Sequence, residues 1–487
     1  HPVFINITKI GVLNDEALMV GFIQTLAGFN AQESVHYEEV HKVKSKFFKM
    51  IFDQQMESFL KNPAYLKFFE QNKEWLVPYA AFCYLRDQNK TANFRQWKEF
   101  QKYNKEEIQK LVSPKNRCYP DIAVHFFIQY HAHKQLSESV IYARGNSIVL
   151  KGDIPIGISP NSVEAWTRPE LFNLSQQAGA PPDDFADQGQ NWGFPTYNWE
   201  VMAKDGYKWW KSRLKQMSHY FDAFRIDHIV GFFRIWEIPG AQVFGTMGHF
   251  NPALPFSRDE IIDRGISFNE ERFTKPYIRD YFMRGLFGEF TEEVKNNFLS
   301  EYEPGKFNLK SNFSTQREVW EYFESNKSED QLSGKESRIR DGLCALIAEV
   351  LFVRDPSHPT HFHPRIAFHD TNSYMNLSDH TRYLLDELYI EFFYSRHDEF
   401  WKEQAMKILP AILEASDMLV CGEDLGMIPA CVPDVMNELG ILSLEVQRMP
   451  KDPNIEFLRP SDAPYLSVST TSTHDTSTLR GWWEEDP

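Results

Sequence analysis

Two hydrophobic periodicities divide the chain. From about residue 15 to 140, apolar residues recur at three-to-four spacing with few glycines, and this predicts a run of helices. Phe47, Phe48, Ile51 and Phe52 form one such group, while the charged stretch Glu33–Lys46 predicts a solvated face. Trp209, Trp210, Leu214, Met217 and Phe221 repeat the helical spacing and predict core packing. Elsewhere, short apolar runs end in charge. Ser147–Ile156 reads as a strand terminating at Gly152-Asp153, because Pro155 cannot continue a central strand. Phe221–Arg234 contains a second strand ending at Asp227, and Asp417–Gly426 a third ending in Glu423 and Asp424. Ile441–Met449 is another, and Tyr465–Thr470 leads into Thr473-His474-Asp475-Thr476. Strand, carboxylate tip and helix thus recur at Asp153, Asp227, Glu423 and Asp475. The rhythm implies a parallel sheet, and acidic tips on one face imply an α/β fold of the (β/α)8 TIM-barrel type with large helical insertions.

The pattern between these strands is less regular. Ala178–Trp199 reads as a long loop whose Gly and Pro fix the backbone while Trp192, Tyr197 and amides offer stacking and hydrogen bonds. Thr246–Phe256 reads as a mobile Gly/Pro loop, and Ser300–Asp341, charged and polar, as an inserted helical segment. The expected organisation is 1–145 helical insertion and barrel periphery and 146–239 barrel core with the Asp227 strand. An inserted loop and helical subdomain over 240–416 follows, then 417–487, barrel core with the Glu423 and Asp475 strands.

Candidate chemistry sharpens the strand ends. Arg225 and Asp227 interrupt an apolar run two residues apart, so their side chains point to the same side of the strand. A structural ion pair is one reading; the other is a nucleophilic Asp227 kept ionised by the neighbouring cation. Glu423, two residues after Cys421 at the end of an apolar strand, is better placed to hold a proton near neutrality. Three such carboxylates at one barrel mouth suit glycoside chemistry: a nucleophile, an acid that turns base, and a group that holds the sugar. His125, His131 and His133, and again His358, His361, His363 and His369, cluster without a zinc motif, so no metal is expected.

Composition narrows the partners. The net charge of −16 argues against nucleic acid, which needs a basic surface, and is indifferent to neutral substrates. At 15% aromatic residues the chain has rings to spare for the apolar faces of pyranoses. Five cysteines with no C-x-x-C pair point to a reducing compartment, and no apolar run is long enough to span a bilayer. The expected location is cytoplasmic, with no membrane partner.

Read together, these stretches resemble the 4-α-glucanotransferases (amylomaltases, or disproportionating enzymes) of glycoside hydrolase family 77. The resemblance is carried by Gly152-Asp-Ile-Pro-Ile156, Pro181-Pro-Asp-Asp-Phe185, Gly189-Gln-Asn-Trp-Gly-Phe-Pro195, Phe224-Arg-Ile-Asp-His228, Cys421-Gly-Glu-Asp-Leu-Gly426 and Thr473-His-Asp-Thr476, in this order. Gly231-Phe-Phe-Arg-Ile-Trp-Glu237, Gly248-His-Phe-Asn-Pro252 and the long stretch before Asp417 make it most similar to the plant cytosolic branch. The resemblance implies Asp227 as nucleophile, Glu423 as acid/base and Asp475 as transition-state stabiliser. It implies Asp153, Arg225, His228 and His474 as sugar-binding residues and Trp192 as a stacking platform. It also implies no metal or organic cofactor, a maltose or maltooligosaccharide donor, and a glycogen or heteroglycan acceptor. By analogy, the first two barrel strands and the eighth are expected outside this sequence, leaving the barrel incomplete at both ends. A hydrolase with the same carboxylates and a non-catalytic glucan-binding protein are the alternatives.

Overall fold

The computed structural model describes residues 1–183, 186–325, 331–452 and 454–485. Asp184 and Phe185 of the Pro181–Phe185 motif, and the terminal Asp486-Pro487, lie outside the described residues.

The organising element is an arc of parallel strands: β1 (Lys151–Ile154), β2 (Ala223–Ile226), β3 (Leu419–Gly422), β4 (Ser443–Val446) and β5 (Ser467–Thr470). β2 pairs in parallel with β1 on one side and β3 on the other. A parallel bridge between Cys421 and Leu442 carries the arc on to β4, and β4 pairs in parallel with β5. The strands therefore follow one another around the arc in chain order. Each is four residues long. All of β2 is buried, as an interior parallel strand must be, which is why its apolar run does not alternate. Among the described residues no strand pairs with the free edge of β1 or β5, so the arc is open.

Helices cover the arc. Lys208–Met217 precedes β2 and buries Trp210 and Leu214 against it, and Asp398–Leu413 precedes β3 and buries Trp401, Ile408 and Ile412. Cys431–Glu438 follows β3 with Val432, Val435 and Met436 inward. Two glycines, Gly152 within β1 and Gly422 at the end of β3, make this packing possible. A Cβ on Gly152 would lie 2.7 Å from Met217 and 2.8 Å from Phe221, and one on Gly422 would lie 2.9 Å from Ile229 and Met436. Each immediately precedes a carboxylate of the site.

The first 145 residues are mostly helical. Glu16–Asn30, Tyr37–Leu60, Pro63–Asn89, Lys105–Leu111 and Tyr119–Gly145 start at Asp15, Asn62 or Asn104 caps or at proline-bearing first turns where the sequence supplies them. Their core is aromatic, with Phe52, Phe59 and Phe127 in mutual ring contact and Trp97 and Trp166 joining Phe82. A third core, around Ile278, Phe287, Val319, Leu343 and Leu346, lies within 278–347.

Two loop readings and one helical reading need correction. Ala178–Trp199 is not a structureless loop: Gln176–Ala180, Gln190–Asn191 and Thr196–Tyr197 are short strands, and the first pairs antiparallel with Ile235–Pro239. Such strands draw their hydrogen bonds from distant partners, so local periodicity does not show them. Thr246–Phe256 is not a loose surface loop either. His249–Asn251 is a strand on that same sheet, Phe250 is buried, and Trp401 Nε1 donates to Pro252 O at 2.8 Å. Within Ser300–Asp341, helices Gln316–Glu324 and Gly334–Ile347 do occur, but a hairpin of Leu299–Glu303 and Lys306–Leu309 opens the segment.

Among the described residues no helix is long and apolar enough to cross a membrane. All five cysteines are free, and four of them are buried.

Candidate active site

Strand register brings the acidic tips together. Asp153 and Cys421 are both register partners of Arg225, so the three strands end level. The Asp227 N–H donates to Ile154 O at 3.1 Å and the Glu423 N–H to Ile226 O at 2.9 Å, continuing the ladder one residue beyond each strand. Asp227 and Glu423 thus emerge side by side at the C-terminal ends of β2 and β3, where parallel α/β folds present their ligand-binding groups.

Arg225 is the hub. Its Nε donates to Asp153 Oδ1 at 2.9 Å, its Nη2 to Asp227 Oδ1 at 3.1 Å, and its Nη1 lies 3.5 Å from Asp475 Oδ2. Nη2 also approaches His474 Nε2 at 3.4 Å. The guanidinium side chain is only 8% exposed, while those of Asp153, Asp227 and Asp475 are 42%, 36% and 61% exposed. A buried cation under a ring of more exposed carboxylates fixes their geometry from below. His474 completes the ring, with Nε2 3.6 Å from Asp153 Oδ2 and 3.4 Å from Asp475 Oδ1.

Glu423 stands apart from that network. Among the described residues its two oxygens accept backbone N–H groups only, from His228 and from Leu425, each at 3.0 Å. Burial, reinforced by the nearby negative charge of Asp227 and opposed by those two N–H groups, pushes its carboxyl up to about 7. Asp227 is also raised above the usual aspartate range. Burial is the leading cause, Arg225 opposes it, and the charges of Asp153 and Asp475 add to the rise. The expectation that Arg225 governs Asp227 is therefore amended: the cation tempers an effect of burial and does not override it.

His228 makes the bend that serves Glu423. Its backbone adopts the left-handed conformation, φ 49°, which a non-glycine residue holds only at a cost of about 1–2 kcal/mol, and this turns its N–H toward the carboxylate. Its ring is enclosed, and burial lowers it to about 3, so the imidazole is neutral. Trp192 packs over that ring edge-on, centroids 4.9 Å apart, and stacks on Phe194 at 5.6 Å. The Trp192 indole N–H donates to Gln190 Oε1 at 2.9 Å, which sets the plane of a partly exposed ring beside the carboxylates.

All eight residues singled out from the sequence belong to this cluster: Asp153, Arg225, Asp227, His474 and Asp475 in the ion network, and Glu423, His228 and Trp192 along its side. The histidines between 355 and 370 do not join it. His363 Nε2 lies 2.9 Å and His358 Nδ1 3.3 Å from Asp355, and His369 pairs with Asp386 at 3.1 Å. Among the described residues no group of three or more His, Cys, Asp or Glu side chains could hold a metal ion.

Two supporting features escaped sequence reasoning. Asp424, next to the acid/base candidate, is buried and accepts the Leu444 N–H at 2.9 Å, while Lys451 Nζ reaches its Oδ2 at 2.6 Å and Glu445 at 2.8 Å. This ties β3 to β4 directly behind Glu423. Arg234 is buried between the rings of Phe250 and Trp401 and donates to the Met427 carbonyl in the loop after Glu423. An arginine inside an apolar run was the available signal, the same one that marks Arg225.

A parallel arc thus carries acidic side chains at its C-terminal mouth, with one carboxyl raised toward neutrality beside another. The chain belongs to the 4-alpha-glucanotransferase family, whose sequence profile matches residues 1–487. It is 43% identical over 455 residues to the 4-alpha-glucanotransferase DPE2 of Oryza sativa subsp. japonica, covering 93% of this chain and 48% of that protein. It is 30% identical over 237 residues to the 4-alpha-glucanotransferase of Chlamydia muridarum, covering 48% of this chain and 44% of that one. The chain thus spans about half the length of these relatives. Among solved structures, the amylomaltase from Corynebacterium glutamicum superposes with a TM-score of 0.53 at 15% identity, over 99% of this chain and 46% of its own, a likeness of fold.

Proposed function

We propose that the protein is a retaining 4-α-glucanotransferase that moves α-1,4-linked glucosyl units from maltose or a maltooligosaccharide to a glucan acceptor. The observation that carries this reading is Glu423, pushed up to about 7 beside Asp227, whose carboxylate is hydrogen-bonded to Arg225. Two carboxylates made unlike by their surroundings supply an acid and a nucleophile at one pH. In the first step Asp227 attacks the anomeric carbon while Glu423 gives its proton to the glycosidic oxygen, and the reducing-end sugar leaves. In the second, the Glu423 carboxylate takes the proton of an acceptor 4-hydroxyl as that oxygen displaces Asp227. Two inversions give net retention.

Asp475, reaching in from beyond β5, is the proposed stabiliser, holding hydroxyls of the transferred sugar. Asp153, Arg225 and His474 would line the same subsite. His228 would serve through the N–H it gives Glu423 and the ring it gives Trp192, which would stack along the glucan. We further propose that the arc is part of a closed (β/α)8 barrel, with 1–145 as periphery and 240–416 as insertion, and that glycogen or a soluble heteroglycan in the cytoplasm is the acceptor. No metal or organic cofactor enters these steps.

Product analysis tests the reaction class. Incubated with maltotriose, the full-length protein should give glucose together with chains longer than the substrate. Shortened chains alone would replace transfer by hydrolysis.

A further inference from the structure

We propose that Arg448 is a positioning residue for the Asp475 carboxylate, acting by clamping the loop that carries it. This rests on the reading of Asp475 as the group that holds the transferred sugar. β4 and β5 run side by side up to Thr470, where the Gln447 N–H donates to Thr470 O at 2.8 Å. Arg448 follows immediately. Its guanidinium reaches across to the segment 472–477: Nη2 donates to Ser472 Oγ and to Thr476 Oγ1, each at 2.9 Å, and to the Ser477 carbonyl, and Nη1 to Ser477 Oγ at 3.2 Å. Every one of those acceptors flanks His474-Asp475.

The loop has little else to hold it. His474 and Asp475 are 66% and 61% exposed and β5 itself is half-buried at best. Arg225 Nη1 stands 3.5 Å from Asp475, too long for a good hydrogen bond. Within the loop, the hydroxyls of Ser472 and Thr476 lie 2.9 Å apart and the Asp475 N–H donates to Thr473 Oγ1 at 3.2 Å, so the clamp and the turn share atoms. A planar fork with five donors can span acceptors on both sides of the turn; a lysine ammonium cannot. Among the described residues no carboxylate pairs with Arg448; its hydrogen bonds go to neutral oxygens of this loop, and its guanidinium also lies over the Trp482 ring, 5.7 Å from the centroid. A structural staple alone would make the same bonds, and kinetics separate the two roles.

The experiment compares Arg448→Ala, Arg448→Lys, Asp475→Asn and the double variant Arg448→Ala/Asp475→Asn in the full-length protein. It measures kcat and KM for maltose with glycogen, and hydrogen–deuterium exchange over 472–477. Arg448→Ala should lower kcat about 10- to 100-fold with KM within about twofold, since a group displaced by about 1 Å loses that order of rate. Arg448→Lys should restore little of it. Exchange should quicken in 472–477 while β2 and β3 stay protected. Added to Asp475→Asn, Arg448→Ala should cost less than about threefold further, because its effect passes through the group already removed. A full additional loss in the double variant, unchanged turnover in Arg448→Ala, or unchanged exchange would each overturn the proposal and leave the role of Asp475 standing. Wild-type turnover in Asp475→Asn would instead overturn the reading of Asp475, and the proposal with it.

Discussion

Arg225 and Asp153 are register partners on adjoining parallel strands, and the guanidinium closes the gap between them with a 2.9 Å bond from Nε. The same group reaches Asp227 two residues along its own strand. One fixed fork therefore sets the spacing between Asp153, proposed to line the sugar subsite, and the proposed nucleophile Asp227. Arg225→Lys keeps the charge and loses the fork. It should fold, and kcat/KM for maltose should fall by about 100-fold or more, as expected when a bidentate positioning group is lost. Steady-state kinetics beside a thermal melt would check both halves of that statement.

The raised Glu423 carboxyl predicts the basic limb of the pH–rate profile. The first step needs its protonated form, and a carboxyl titrating at about 7 loses that proton as pH rises through neutrality. The rate should thus decline above about pH 7. As the proposed nucleophile Asp227 acts ionised, and its own raised value places the acidic limb above the ordinary aspartate range. Glu423→Gln should abolish transfer from maltose, and a residual basic limb in that variant would assign the limb to another group.

Trp192 offers a partly exposed face braced by Phe194 and His228. Trp192→Ala should raise KM for maltooligosaccharides by about tenfold, the equivalent of about 1.4 kcal/mol for one lost ring face, with a smaller change in kcat. Comparing maltose with longer donors would show where along the chain the ring lies.

Behind the acid/base candidate, Lys451 pairs with both Asp424 and Glu445, whose side chains are 3% and 10% exposed. Lys451→Met strands two carboxylates in the core. Because Lys451 is itself 29% exposed, the expected loss is about 2 kcal/mol, below that of a fully buried pair. A lower thermal midpoint for Lys451→Met, largely restored by adding Asp424→Asn, would bear this out.

The legibility of the site follows from where its residues stand. Asp227 and Glu423 each directly follow a mostly apolar strand, so their place at strand tips is legible from hydrophobicity alone, and alternation puts Arg225 on the same side as Asp227. Asp153 instead stands third of the four residues of β1, which runs on to Ile154 and does not end at Gly152-Asp153. That Arg225 also holds Asp153 depends on register between strands 72 residues apart, which no local pattern encodes. The residues that stiffen the site were hidden for the same reason. Lys451 meets Asp424 across 27 residues, and Arg448 grips a loop more than 20 residues downstream. The short antiparallel strands around Gly179 and Phe250 both pair with Ile235–Pro239, a partner their own stretch of sequence does not contain, so Gly and Pro content there reads as loop.

The most direct test of the account is glucose release from maltose by the full-length protein, with and without glycogen, beside an Asp227→Asn control. The account predicts glucose that depends on glycogen and falls by about 10,000-fold or more in the control, while maltose binding persists. Substantial turnover by Asp227→Asn would contradict the nucleophile assignment, and absence of glucose from the wild-type protein would contradict the transferase itself.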